Sequence, residues 1–422
     1  MRPACQTGTL ITSPVIAQQA PPVSRFRHLE LLFLLGMLQA FAPVSIDMYL
    51  PAMPQMEQVF HTSAAAVQYT MITFLVGFAL GQRLYGPVTD RFGRKPPLYA
   101  SLTLFILSSA ACALSPSIRM MSFFRLLQAI GACGGGVISR AIVRDLFPPS
   151  ELRRIFSMLI LVVGVSPVIA PMLGSYLLIW FGWKAAFVTQ TLIGVVCLAG
   201  MHFRLSESLP DSARIPLRVD TIVSAYSRLI KDRTFLGASV VCGFSSAGTF
   251  AYITSAPFVY ISLYKVPPAE FGWLFGAAAA GMVTASQING RMPRRIPIWQ
   301  VLRYANLVQL IAGLLLLVAV LSGVGGLASV FACVFVYVAA QGFVFPNGSA
   351  IAMMRHGEIA GTASALLGTN QFLLAAIAAI FLGLLENPAI PMAIVIAACA
   401  VASTVLNYLT LGDRLEIAPQ AV

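Results

Sequence analysis

The chain has 422 residues, 58% of them hydrophobic and only 10% charged, with a formal net charge of +12. A soluble chain carries about 25% charged residues, so apolar surface on this scale must cover the outside as well as the core, as in a polytopic membrane protein. The basic excess does not mark a nucleic-acid binder, because the arginines fall in alternate loops rather than along one face.

Residues 1–25 are rich in Pro, Gln and Thr with little periodicity, and residues 1–28 are expected to form a disordered cytoplasmic tail. A cleavable signal peptide is the alternative, but no compact apolar run follows an N-terminal charge. Twelve apolar segments come next, at about 29–50, 65–85, 98–115, 121–143, 155–181, 184–204, 235–263, 269–290, 299–322, 326–347, 358–385 and 389–411. A bilayer core roughly 30 Å thick needs helices of about this length. The one long polar connection, 205–234, separates an N-terminal half (29–204) from a C-terminal half (235–411), and 412–422 is expected to be a cytoplasmic tail.

The loops on the side of the termini hold 23 Lys and Arg, counting Arg83, Arg140 and Arg303 with the adjacent loops, whereas the opposite side holds only Arg119, Lys184 and Lys265. By the positive-inside rule both termini are expected in the cytoplasm. The halves also repeat. A shift of 204 residues puts Gly86 on Gly290 and Arg91 on Arg295, with Arg294 where Asp90 would be. Two six-helix halves around a midplane site make a transporter architecture.

Catalytic and metal chemistry finds no support. The cysteines at 5, 112, 133, 197, 242, 333 and 399 are odd in number and show no paired spacing, and the four histidines lack ligand spacing. No Gly-x-x-x-x-Gly-Lys-[Ser/Thr] loop or Gly-x-Ser-x-Gly elbow is present, so an enzyme, an ATP-driven pump, a metal and a cofactor are all unexpected.

Between the second and third segments lies Gly86-Pro87-Val88-Thr89-Asp90-Arg91-Phe92-Gly93-Arg94-Lys95. Its spacing resembles the signature loop of the major facilitator superfamily, a fold of twelve transmembrane helices in two pseudo-symmetric halves. The resemblance implies that Gly86, Asp90, Arg91, Gly93 and Arg94 form a cytoplasmic gate motif, pairing charges with neighbouring helix ends. The plainer alternative, a basic turn that only sets topology, leaves the acid and the glycines without a role.

In the first segment, Ile46-Asp47-Met48-Tyr49-Leu50-Pro51 resembles the bicyclomycin/chloramphenicol-resistance (Bcr/CflA) branch of the drug:proton antiporters. Asp47 is the one carboxylate well inside a segment, where a charge is costly unless paired or protonated, so it is expected to exchange protons. A rim position near Pro51, in contact with water, is the alternative. Arg125 and Gln128, in Arg125-Leu126-Leu127-Gln128-Ala129-Ile130-Gly131, are similar to the superfamily's fourth-helix arginine motif, although Ala129 replaces the usual glycine. Asp47 and Arg125 lie at similar depths, so a direct or water-bridged pair coupling protons is expected; a snorkelling arginine is the alternative.

The fifth segment carries Gly164, Pro167, Pro171 and Gly174 in a pattern that looks like the antiporter motif of drug exporters, with Ala170 and Ser175 replacing two glycines. Such a pattern bends a helix and permits close contact. Ordinary transmembrane enrichment in Gly and Pro is the plainer reading. Glu207-Ser-Leu-Pro210 resembles the family weakly.

The second half offers no counterpart charge, since the positions 204 beyond Asp47 and Arg125 are Ala251 and Ser329. It offers polar and aromatic groups instead. A substrate cavity is expected from Tyr49, Gln128, Tyr252, Asn347, Gln371 and Phe372, each of which could equally be packing. The resemblance implies a monomeric exporter in the bacterial inner membrane, moving lipophilic cationic or neutral drugs against protons with the lipid bilayer as its only other partner. A metabolite exporter or symporter of the same fold is the alternative.

Overall fold

A computed structural model describes residues 25–214, 219–293, 295–385 and 387–411. Among them every regular element is helical. The first half runs α1 (Arg25–Asp47), α2 (Met53–Val59), α3 (Ala64–Phe92), α4 (Lys95–Ala113), α5 (Ile118–Leu146), α6 (Pro149–Phe181) and α7 (Lys184–Arg204). A linker helix, α8 (Val219–Lys231), leads to the second half: α9 (Arg233–Pro257), α10 (Pro268–Arg291), α11 (Ile298–Ser322), α12 (Gly326–Met353), α13 (Ala360–Ile380) and α14 (Ala389–Leu411). Twelve helical spans among the described residues are long and apolar enough to cross a membrane. Their outward faces carry Leu107, Ile160, Leu192, Ile311 and Val318, the reverse of a soluble protein.

Local chemistry explains the boundaries. Pro51 and Pro54 interrupt the first span after Asp47, so it continues as a 3-10 turn (Leu50–Ala52) and α2. Ser63 caps α3, its Oγ accepting from the Ala66 N–H at 3.3 Å, and Ser117 caps α5 in the same way. The expected tail over 1–28 lies mostly outside the described residues, but helix already covers Arg25–His28. The 412–422 tail and Arg294 of the loop repeat also lie outside them.

Small residues let the helices touch backbone to backbone, the usual glue where lipid removes the hydrophobic drive. Gly77 of α3 faces the Leu126 carbonyl of α5, and Gly131 of α5 faces the backbone of Phe105 on α4. The two halves meet along α3 with α13 and α6 with α10. Ala65 lies against Gly383 and Gly272 against Met172, both on the side away from the linker. Toward the linker side, by contrast, Arg140 stands exposed within the span of α5, although α1, α3 and α4 pack around that helix. A cleft therefore opens on the side that carries α8.

Candidate functional site

Asp47 ends α1 where four helices converge. The turn that follows it packs against α6, α9 and α10. Gly174 of α6 sits on the Met48 carbonyl so closely that no side chain would fit there. Asp47 is 3% exposed, and none of the described residues hydrogen-bonds or ion-pairs with its carboxylate. Ser175, at the seam between the halves, also carries a buried hydroxyl with no hydrogen-bond partner among the described residues, as do Ser45 on α1 and Thr254 and Ser255 on α9. This is a buried acid among unsatisfied polar groups, the setting in which a protonatable site is found.

A direct pair between Asp47 and Arg125 is not formed. Arg125 is fully buried, and its guanidinium faces Phe74 at 4.3 Å and Tyr49 at 4.7 Å from the ring centroids. Nη1 donates to the Ser45 carbonyl at 2.9 Å and to Gln128 Oε1 at 2.8 Å, while Nη2 reaches Met71 Sδ at 3.4 Å. The aromatic faces and two oxygen acceptors surround the cation without a carboxylate, while its buried Nε finds no partner among the described residues. Because Ser45 precedes Asp47 by two residues, Arg125 grips the last turn of the helix that ends in the acid.

Two expected cavity residues belong to this packed core instead. Tyr49 is fully buried, its hydroxyl 2.7 Å from Thr70 Oγ1. Gln128 is fully buried too, its Nε2 donating to Ser109 Oγ and Gln190 Oε1, both at 2.7 Å. Tyr252 lies buried at the seam, stacked on Phe275 at 5.5 Å. Asn347 is tied to Asn289 Oδ1 at 2.7 Å. Phe372 bridges the halves between Phe78 and Phe250, at 4.5 and 5.4 Å, and Gln371 beside it is half-buried.

The second half carries a charge-free copy of the Arg125 core that the sequence did not disclose. The Ser245 hydroxyl lies 2.6 Å from Gln309 Oε1 and also contacts Gln341, whose Nε2 donates to Ser246 Oγ at 2.8 Å. Tyr337 OH donates to the Ser245 carbonyl at 3.3 Å, as Arg125 does to that of Ser45. Ser45 and Ser245 stand 200 residues apart, as do Ser109 and Gln309, but Gln128 and Gln341 stand 213 apart. A single shift of 204 residues misses all three pairs.

The loop after α3 is organised around Arg94. Its guanidinium binds Asp90 and Asp145, each at 2.7 Å, and its backbone N–H donates to Glu207 Oε1 at 2.8 Å. Gly93 has φ +86°, and a Cβ there would meet the Glu207 carboxylate at 2.8 Å, so only glycine suits both demands. Burial pushes Glu207 up, but the backbone N–H groups of Arg94, Leu209, Lys95 and Ser208 outweigh it and hold the carboxyl below its usual range. Arg91 is exposed, over the Phe92 ring at 5.2 Å, and a Cβ on Gly86 would meet nothing within 4 Å, although its carbonyl accepts from Thr89 Oγ1 at 2.9 Å. The loop thus ties α3, α5 and the end of α7 together, with Asp145 a partner that no local spacing could reveal.

On α6 the four motif residues serve two contacts. Gly174 meets the Met48 carbonyl, while a Cβ on Gly164 would lie 3.5 Å from Val283 of α10. Pro171 presents its carbonyl to Gly272 of α10, and Pro167 lies within the same helix one turn earlier. One helix therefore touches both the acid-bearing turn and the opposite half.

Two six-helix halves meeting at a buried acid, with a cleft on one side, define a secondary membrane transporter. Residues 35–411 match the Major Facilitator Superfamily, and the chain belongs to that family. It is 39% identical to the MFS-type transporter YdgK of Bacillus subtilis over 92% of this chain and 97% of that one. It is 30% identical to the bicyclomycin resistance protein homolog of Haemophilus influenzae, covering 90% and 96% of the two chains. Multidrug resistance protein D of Escherichia coli is 26% identical over 83% of this chain and 87% of its own. Among solved structures, the inward-facing, occupied form of a bacterial Spinster homolog has TM-score 0.75 at 15% identity, covering 95% of this chain and all 100% of that one. A partially occluded inward-open form of the E. coli xylose transporter XylE has TM-score 0.70 at 12% identity, covering 91% and 97%. These last two agree in fold. The chain is thus a multi-pass membrane transporter with relatives named for drug resistance, and not an enzyme.

Proposed function

We propose that this protein exports lipophilic drugs across the bacterial inner membrane in exchange for protons, as a monomer with both termini in the cytoplasm. The cleft on the linker side is then open to the cytoplasm, where substrate enters. The observation that carries the reading is the unpaired, buried Asp47 carboxylate at the seam of the two halves. An acid in such a place gains from either a proton or a change of shape that admits water. Arg125 holds the turn before it through Ser45, and Gly174 holds the residue after it. A proton on Asp47 removes its charge and lets the seam close on it; drug in the cleft favours the opposite state. Linkage makes that competition reciprocal, so a proton gradient drives export. The loop tied by Arg94 braces the first half as a rigid body that rocks against the second, and α8 joins the two on the cytoplasmic side.

The test is drug accumulation in efflux-deficient bacteria expressing wild type or Asp47→Asn, with and without an uncoupler. Exclusion of drug by wild type, lost with uncoupler and lost in Asp47→Asn, supports the reading. Full export by Asp47→Asn at normal expression removes Asp47 as the coupling residue. If wild type excludes no drug, a metabolite exporter of the same fold replaces the drug reading.

A further inference from the structure

The face that α5 turns toward the cleft can be located from its neighbours. Gly134 packs on Ser101 of α4, Gly135 on the Leu38 carbonyl of α1, and Gly81 of α3 on Cys133, each so close that a Cβ on the glycine would crowd its neighbour, at 3.1 Å for Gly135 and 2.7 Å for Gly81. At about 100° per residue, these contacts leave one direction free, between α1 and α3 and away from α4. Gly136 points there: a Cβ on it would meet only Gln39 Oε1, at 3.5 Å. One turn further on, Arg140 reaches the same Gln39 carboxamide.

Arg140 lies within the span Ile118–Leu146, yet it is exposed. Its Nη1 donates to Gln39 Oε1 at 3.4 Å, and Gln39 is itself buried on α1. Among the described residues no carboxylate pairs with it. The acids nearby are engaged elsewhere, Asp90 and Asp145 by Arg94 and Glu30 by Arg204 at 3.0 Å. Asp47 stands eight residues beyond Gln39, roughly 12 Å along α1, at the closed seam. The cleft wall thus displays a guanidinium fork with an unoccupied set of donors and no counter-charge. Low-dielectric walls focus such a field on whatever enters, and a planar fork suits a carboxylate or sulfonate better than a point charge does.

We propose that Arg140, steadied by the Gln39 carboxamide, recognises the anionic end of a lipophilic organic anion in the cleft. This rests on the export reading and deepens it, because it departs from the cationic or neutral substrates that the family resemblance implies. Arg140 selects substrate; Asp47 carries the proton.

The experiment uses the full chain in nanodiscs of uncharged lipid and two probes with the same ring and opposite charge, naphthalenesulfonate and a naphthyl trimethylammonium. Wild type should bind the sulfonate more tightly, with an affinity that falls as salt rises. Arg140→Gln should weaken sulfonate binding by roughly tenfold or more and leave the ammonium unchanged or tighter. Arg140→Lys, which keeps the charge but loses the fork, should fall between. Wild type that prefers the ammonium, or Arg140→Gln that binds sulfonate as wild type does, overturns the proposal. Transport of both probes in vesicles with an imposed pH gradient separates the two readings. If the ammonium is moved equally by wild type and Arg140→Gln and the sulfonate by neither, the anion proposal falls and export stands. If neither probe is bound or moved, both fall.

Discussion

Replacing Arg94 by Ala removes a guanidinium that is only 3% exposed and leaves two carboxylates behind. The bond to Asp145, a group 13% exposed, lies in a shielded site and contributes about 1.5–3 kcal/mol as a charge-assisted hydrogen bond. The bond to Asp90, a group 44% exposed and four residues away, is screened by water and contributes about 0.5 kcal/mol. The Glu207 contact survives, because it is made to the Arg94 backbone. The total is about 2–3.5 kcal/mol. Arg91→Ala is the internal control: its side chain is exposed, and the change is expected to stay within about 0.5 kcal/mol. Thermal unfolding of the purified protein in detergent measures both. Arg94→Ala should unfold several degrees lower than wild type and Arg91→Ala within about one degree. Equal shifts for the two variants would refute the assignment of Arg94 as the centre of the loop.

Three further outcomes follow from the geometry. Gly174→Ala drives a methyl into the Met48 carbonyl and displaces the turn after Asp47, so transport should collapse at retained expression, whereas Gly164→Ala, 3.5 Å from a flexible Val283, should transport nearly normally. Gln341→Leu deprives the Ser245, Ser246 and Gln309 groups of a partner in a buried network, and thermal unfolding should show a loss of about 1–3 kcal/mol. The linker-side cap of α9 sets an acid response. Burial pushes Asp232 up, but the Thr234 N–H, His356 and the Phe235 N–H outweigh it and hold the carboxyl below its usual range. A folded-state value below the unfolded one stabilises above about pH 4 and is lost as pH falls through it. Stability should therefore drop with acidification below about pH 4, and Asp232→Asn should flatten that part of the profile.

The twelve spans were legible because bilayer thickness dictates an apolar length that no other requirement imitates. What lay between them was less so. The linker was read only as polar, yet Val219, Val223, Tyr226, Leu229 and Ile230 recur at helical spacing and form α8. The signature loop named Asp90 and Arg94, but its other partners, Asp145 and Glu207, sit 51 and 113 residues from Arg94, where no local period reaches. Depth alone suggested an Asp47–Arg125 pair, because it could not weigh Tyr49 and Phe74, whose ring faces give the guanidinium an alternative to a carboxylate. Arg140 was counted with a loop because it falls near a segment end; the direction of its side chain depends on which faces of α5 are already occupied.

The central claim is that drug and proton compete through Asp47, and proton release on drug binding tests it most directly. Purified protein in weakly buffered detergent solution, with a pH dye, is mixed with a drug that the cells exclude. The account predicts that wild type releases protons in proportion to drug bound and that Asp47→Asn binds the drug without releasing them. Equal release by Asp47→Asn would contradict it and place the exchanging proton on another group.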